Sequence, residues 1–167
     1  MNEIPSIFRR NQVGLSQFVL SAEVGENWQN NILKAFIANY WFLLDQNKLC
    51  VTIGDIELNS DNYFDLCISL FERETKIANN PLNYIRAYKE GIKYEEEISF
   101  IGNINFHLLE ANGLSNRILF LRDGMKIKTD SLGVGGLPTT ISGIMYCTKP
   151  TGNAITGATE PHAHDDF

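Results

Sequence analysis

The sequence predicts an α+β domain: a mixed, mostly antiparallel sheet with one long core helix and two shorter helices packed on one side. Three observations carry this expectation. Residues 25–46 repeat apolar side chains at helical spacing for about six turns. From Ile98 onward the pattern changes to period-two alternation, punctuated by the turn pairs Asn112-Gly113 and Asp123-Gly124. Between the two regions lie two shorter helical segments, so helices and strands are segregated along the chain, as a sheet with one helical layer requires.

The first element is a short strand, Leu15-Ser16-Gln17-Phe18-Val19-Leu20. Gly25 then opens the long helix, in which Trp28, Ile32, Phe36, Tyr40 and Leu43 share a face that Leu33, Ile37 and Leu44 widen. Lys48–Ile53 and Ile56–Leu58 flank Gly54-Asp55 and read as a hairpin or two strands at a sharp break. Asn59 or Ser60 is placed to cap a helix over 61–74, with Phe64, Cys67, Leu70 and Phe71 inward. Asn80-Pro81 starts a third helix, with Tyr84, Ile85 and Tyr88 apolar; Gly91 is expected to end it in a left-handed conformation.

A long strand follows from Ile98, with Phe100, Ile104, Phe106 and Leu108 on one face and Ser99, Asn103, Asn105 and His107 on a wet one. Glu95-Glu96-Glu97 before it reads as a solvated turn. Ile118–Leu121, Met125–Lys128 and Thr140–Cys147 complete an antiparallel meander. Residues 1–14 form a lead-in, 15–150 the domain, and 151–167 a polar, flexible segment that looks like a fragment boundary.

Composition narrows the class. The chain has 167 residues, 44% hydrophobic and 20% charged, in the range of ordinary globular domains. Twenty acidic against fourteen basic residues leave a formal charge of −6, so neither nucleic acid nor an anionic membrane is indicated as a whole-surface partner. Cys50, Cys67 and Cys147 are odd in number and far apart; they form no disulfide framework, and a reducing cytoplasm is expected. Cys50 and Cys67 fall in apolar patterns and read as small core residues. Lys34 and Asn39 interrupt the most apolar run, Ile32–Leu44, which is too short to span a bilayer.

Chemistry-bearing patterns are sparse. His162, His164, Asp165 and Asp166 are the densest potential ligands, with His107 as a more distant third imidazole, but their spacing fits a solvated segment better than a metal centre. Gly133-Val134-Gly135-Gly136 precedes Pro138 and a strand rather than a helix, which disfavours a phosphate cradle. Arg122, Lys126 and Lys128 cluster at a hairpin; they are candidates for a phosphate contact or, more simply, a charged edge.

One resemblance spans most of residues 15–167. Arg122-Asp123-Gly124-Met125-Lys126-Ile127, the strand around Ser142-Gly143-Ile144, then Gly152-Asn153, and Glu160-Pro161 with His164-Asp165 and Phe167 occur in that order. The series resembles the region downstream of the nucleotide-binding domain in bacterial ATPases of the gyrase, heat-shock chaperone, histidine kinase and mismatch-repair superfamily, and its Microrchidia relatives. In those proteins, too, a long helix is followed by a Lys-Leu-x-Val-x-Ile strand. The resemblance implies a transducer-like, non-catalytic coupling domain, with ATP and Mg bound elsewhere in a longer protein and no cofactor in this chain. Its partner would be an upstream nucleotide-binding domain of the same chain, with a homodimer also open. Such domains sometimes present a basic residue to the terminal phosphate, for which Lys126 and Lys128 are hairpin candidates only. Where some relatives carry a Lys near the closing His, this chain has Asp165-Asp166, so that role does not carry over. A defence role for the intact protein would fit such relatives. Two other readings stand beside it: a stand-alone cytosolic protein-binding module of immunity or partner type, and, more remotely, a metal-dependent enzyme built on His107, His162 and His164.

Overall fold

The computed structural model describes residues 25–73, 80–133 and 139–158. The expected strand at 15–20, most of the glycine-rich loop, and Glu160, Pro161, His162, His164, Asp165, Asp166 and Phe167 lie outside the described residues.

The chain forms α1 (Trp28–Asp45), β1 (Val51–Ile53), β2 (Ile56–Leu58), α2 (Tyr63–Phe71), α3 (Pro81–Glu90), β3 (Ile92–Ile98), β4 (Gly102–Ala111), β5 (Arg117–Arg122), β6 (Met125–Ser131), β7 (Thr140–Cys147) and α4 (Pro150–Ala158). The fold is α+β as expected. β1 and β2 pair as a small hairpin, and the other five strands form a sheet in the order β3-β4-β7-β5-β6. It is no simple meander. β7 enters between β4 and β5, antiparallel to the first and parallel to the second. Among the described residues, no helix is long and apolar enough to cross a membrane.

Turn chemistry follows the sequence closely. Asp123 and Gly124 both have positive φ, 50° and 81°, the pattern of the tight hairpin turn that matches strand twist. Gly54, at φ 64°, plays the same part between β1 and β2. The Asn80 side chain accepts the Leu82 N–H at 3.0 Å and Pro81 occupies the first turn of α3.

Helix faces and ends depart from expectation where neighbours decide. α1 buries Leu33, Ile37, Trp41, Phe42 and Leu44, one residue round from the expected stripe, and Ile32 is 43% exposed. The helix is apolar nearly all round, so the sheet on one side and α2 and α3 on another select the buried face. The residue before α2 is Asn62, not Asn59 or Ser60, and none of the three caps the helix with its side chain: Asn62 donates to the Glu57 carbonyl and accepts the Asn59 N–H, while the Asn59 side chain accepts the Asp61 N–H. Gly91 is extended, φ −73° and ψ 162°, rather than left-handed. Its lack of a side chain serves close approach instead, because a Cβ there would lie 2.3 Å from the Ala87 carbonyl oxygen and 2.7 Å from that of Leu108. Cys67 is buried, but Cys50 lies just before β1 and is exposed.

The expected long strand from Ile98 is two strands. Residues 92–98 form β3, the chain turns through Ser99-Phe100-Ile101, and β4 begins at Gly102. Glu95-Glu96-Glu97 is therefore strand, not turn. The supposedly wet face of β4 is the one the helices cover. Asn105 and His107 are buried there, in register with Tyr146 and Ile144 of β7. The core joins these rows to α1, α2 and α3 through Leu119, Leu121, Ile144, Tyr63, Cys67, Phe71, Tyr84 and Ile85.

Residues 150–158, expected to be polar and flexible, form α4. Its two glycines weaken helix propensity, and the one at Gly152 is required by close backbone contact. A Cβ at Gly152 would meet the Ile101 carbonyl at 2.8 Å and Cys147 at 2.9 Å, and one at Gly157 would meet the Arg122 guanidinium at 2.9 Å.

Candidate functional site

The structure divides the candidate residues among three places. The first is the β5–β6 turn. Gly124 lies against α1, where a Cβ would come within 2.4 Å of Leu43. Asn153 of α4 donates from its side chain to the Asp123 carboxylate at 2.6 Å. The segments Arg122–Met125 and Gly152-Asn153, some thirty residues apart, thus meet at one end of the sheet. The basic trio does not converge. A bulge between Phe120 and Leu121 sets Lys126 opposite Leu121 and Lys128 opposite Phe120, on different faces. Lys128 lies over the Phe120 ring, 5.3 Å from its centroid, and pairs with Asp130 at 2.6 Å. Lys126 is half-buried, and desolvation lowers its pKa from the ordinary lysine value.

The second place is the buried imidazole. His107 Nδ1 lies 3.0 Å from the Tyr88 carbonyl oxygen, which can only accept, so Nδ1 carries the proton. Nε2 is then the acceptor for the Tyr146 hydroxyl at 3.3 Å. Tyr88 and Tyr146 flank the ring with centroids 4.9 and 5.9 Å away. Burial lowers the His107 pKa, the Tyr88 carbonyl partly opposes this, and the nearby Lys93 adds to the lowering. Burial likewise raises Tyr146. The pair is held neutral. Among the described residues, no group of three or more His, Cys, Asp or Glu side chains is placed to hold a metal ion.

A stability prediction follows from the imidazole. The unfolded chain takes up a proton near pH 6.5, while the folded chain resists it until a lower pH. Stability contributed by neutral His107 is therefore present above pH 6.5 and is lost as pH falls through the lowered value. His107→Gln should flatten this acid limb in urea titrations between pH 7 and 5. An unchanged limb would assign the loss to other groups.

The third place is the β3 edge. Along β3, Ile92, Tyr94 and Ile98 alternate with Lys93, Glu95 and Glu97, and every residue of the strand is exposed. Ile92 is 65% exposed and Tyr94 52%. Phe100, at the tip of the following turn, is 93% exposed and holds a positive φ of 72°, unusual for a bulky side chain. Beside it, Glu97, Ile98, Ser99, Phe100, Lys149 and Thr151 line a shallow depression of about 490 Å³, with Lys149 3.5 Å from Glu97. The sequence reading passes over this surface because the run of three glutamates outweighs the apolar-charged alternation on either side. That alternation is the signal that finds it.

Comparison with protein-family models, curated proteins and solved structures finds no match to this chain.

Proposed function

We propose that the chain is a protein-binding module that engages its partner along the β3 edge. The observation that supports this is a seven-residue strand whose outer edge has no neighbouring strand among the described residues, with its apolar side chains and Phe100 in solvent. Edge strands are usually shielded by charged side chains, proline, a bulge or a cover, and β3 carries charges at Lys93, Glu95, Glu96 and Glu97. β3 contains no proline, and its pairing with β4 runs from Ile92–Leu108 to Ile98–Gly102 without a register shift. Such an edge offers backbone donors and acceptors for affinity and alternate side chains for specificity.

The coupling role implied by the resemblance to transducer domains is one form of this reading, with a nucleotide-binding domain as the partner. It is favoured by the junction of Arg122–Met125 with Gly152-Asn153, which ties the resembling segments of the chain into one unit resting on α1. The test places a photoreactive benzoylphenylalanine at Tyr94 and, as control, at Asp130 on the opposite sheet edge. An adduct from position 94 and none from 130, mapped by peptide mass, is the expected result; the identity of the adduct tells whether the partner is an ATPase domain. Equal labelling from both positions, or none from 94, overturns the reading.

A further inference from the structure

We infer that the partner of β3 is a second copy of this chain, paired strand to strand about a two-fold axis at Tyr94. The inference rests on the binding reading above and adds the identity of the partner. Antiparallel pairing of a strand with itself matches residue i with residue j at constant i + j, and a continuous sheet requires paired residues to share a face. Along β3 this leaves few centres, and the charges choose among them. An axis at Lys93 opposes two lysines. One at Glu95 opposes two glutamates, and one at Glu96 opposes Glu96 to its copy and Glu95 to Glu97. Axes at Ile92 or Ile98 also oppose no like charges but pair a single residue of β3, whereas an axis at Tyr94 opposes none while pairing residues 92–96. It sets Lys93 against the partner's Glu95 twice, Ile92 against the partner's Glu96 twice, and Tyr94 against itself.

The consequences on each face are compatible. On the helix-covered side, Lys93 and Glu95 already lie 3.6 Å apart within one chain, each about half exposed, so crossing to the partner keeps both charges paired in water. On the other side, Ile92 stands next to Leu108, and Tyr94 next to Phe106, in the β3–β4 register. Two-fold pairing extends these rows across the junction: the two Tyr94 rings meet at the axis and each Ile92 lies diagonal to the partner's Tyr94, within reach of an aromatic ring. The exposed Glu96 of each copy stands beside the partner's Ile92. The charges of β3 read in isolation as an edge made unattractive to other strands. Under the two-fold they become its self-complementarity. The product is a continuous ten-stranded sheet, twice the five strands of one copy.

Sedimentation equilibrium of the purified 167-residue chain tests this. The expected result is a concentration-dependent mass approaching twice 18.9 kDa. Lys93→Glu and Glu95→Lys singly should each raise the dissociation constant about tenfold or more, because each creates two opposed like pairs. The double variant Lys93→Glu/Glu95→Lys should restore dimerisation, since it exchanges the charges without changing their match. Circular dichroism confirms that each variant folds. A wild-type chain that stays monomeric at millimolar concentration overturns the inference. So does a dimer that neither single variant weakens, or single-variant losses that the double variant does not recover. If the chain is monomeric but position 94 still labels another protein, only the choice of partner has failed; if position 94 labels nothing, the binding reading fails with it.

Discussion

Trp41→Ala is expected to destabilise the domain by about 3–5 kcal/mol, while Ile32→Ala should cost about 1 kcal/mol or less. Trp41 is 1% exposed and makes ring contacts with Phe42 and Tyr88 at 5.6 and 5.8 Å. Truncating it leaves a cavity between α1 and α3 that the close-packed sheet cannot fill. Its indole N–H has no hydrogen-bond partner among the described residues, so the expected cost is one of packing. Ile32, 43% exposed, sits on the stripe that periodicity alone would bury. Urea unfolding of both variants decides between the two faces. Comparable losses would mean that the Ile32 stripe of α1, and not only the Trp41 face, packs in the core. A loss of the expected size is a large part of the total stability of a domain this long.

Gly91→Ala should cost about 3 kcal/mol, the upper end of what overpacking a close-packed site costs. Its φ and ψ are open to any residue, so no conformational strain contributes. The penalty is steric: the new methyl would lie 2.3 Å from the Ala87 carbonyl oxygen and 2.7 Å from that of Leu108. Both are backbone atoms, one in the last turn of α3 and one in β4, and neither can rotate away. Gly113→Ala is the matched control. Its φ of 80° is left-handed but nothing lies within 4 Å of the added carbon, so only the backbone preference is lost, about 1–2 kcal/mol. Thermal melts should rank Gly91→Ala well below Gly113→Ala. The reverse order would show that α3 and β4 separate easily at this junction, and the β3 edge that leaves it would then lack a rigid support.

How much of the candidate site is legible in the sequence depends on the kind of residue. Asp123-Gly124 is read directly, because a two-residue turn with both φ values positive is a local demand that those residue types meet. Lys126 and Lys128 are two apart and look like neighbours on one face. The bulge that separates them arises from pairing with β5, which no local pattern announces. His107 alternates with apolar residues and so reads as solvent-facing. In the structure that face lies under the helices, and the imidazole is accepted because the Tyr88 carbonyl and Tyr146 hydroxyl satisfy both nitrogens. Asn105, on the same face, is buried with its side-chain N–H₂ unpartnered among the described residues, a cost that an alternation rule has no means of anticipating.

By itself the sequence determined the α+β class, the three helices between residues 28 and 90, and the turns at Gly54, Gly113 and Gly124. These depend on contacts within a few residues, where capping, backbone preference and hydrophobic period act directly. Only the tertiary structure decided which stripe of α1 is buried, that β7 lies between β4 and β5, and that β3 stands at an edge with Tyr94 exposed. Those outcomes depend on which surfaces meet after the chain has folded back on itself. Strand order changes the neighbours of every side chain while leaving the local pattern of each strand untouched.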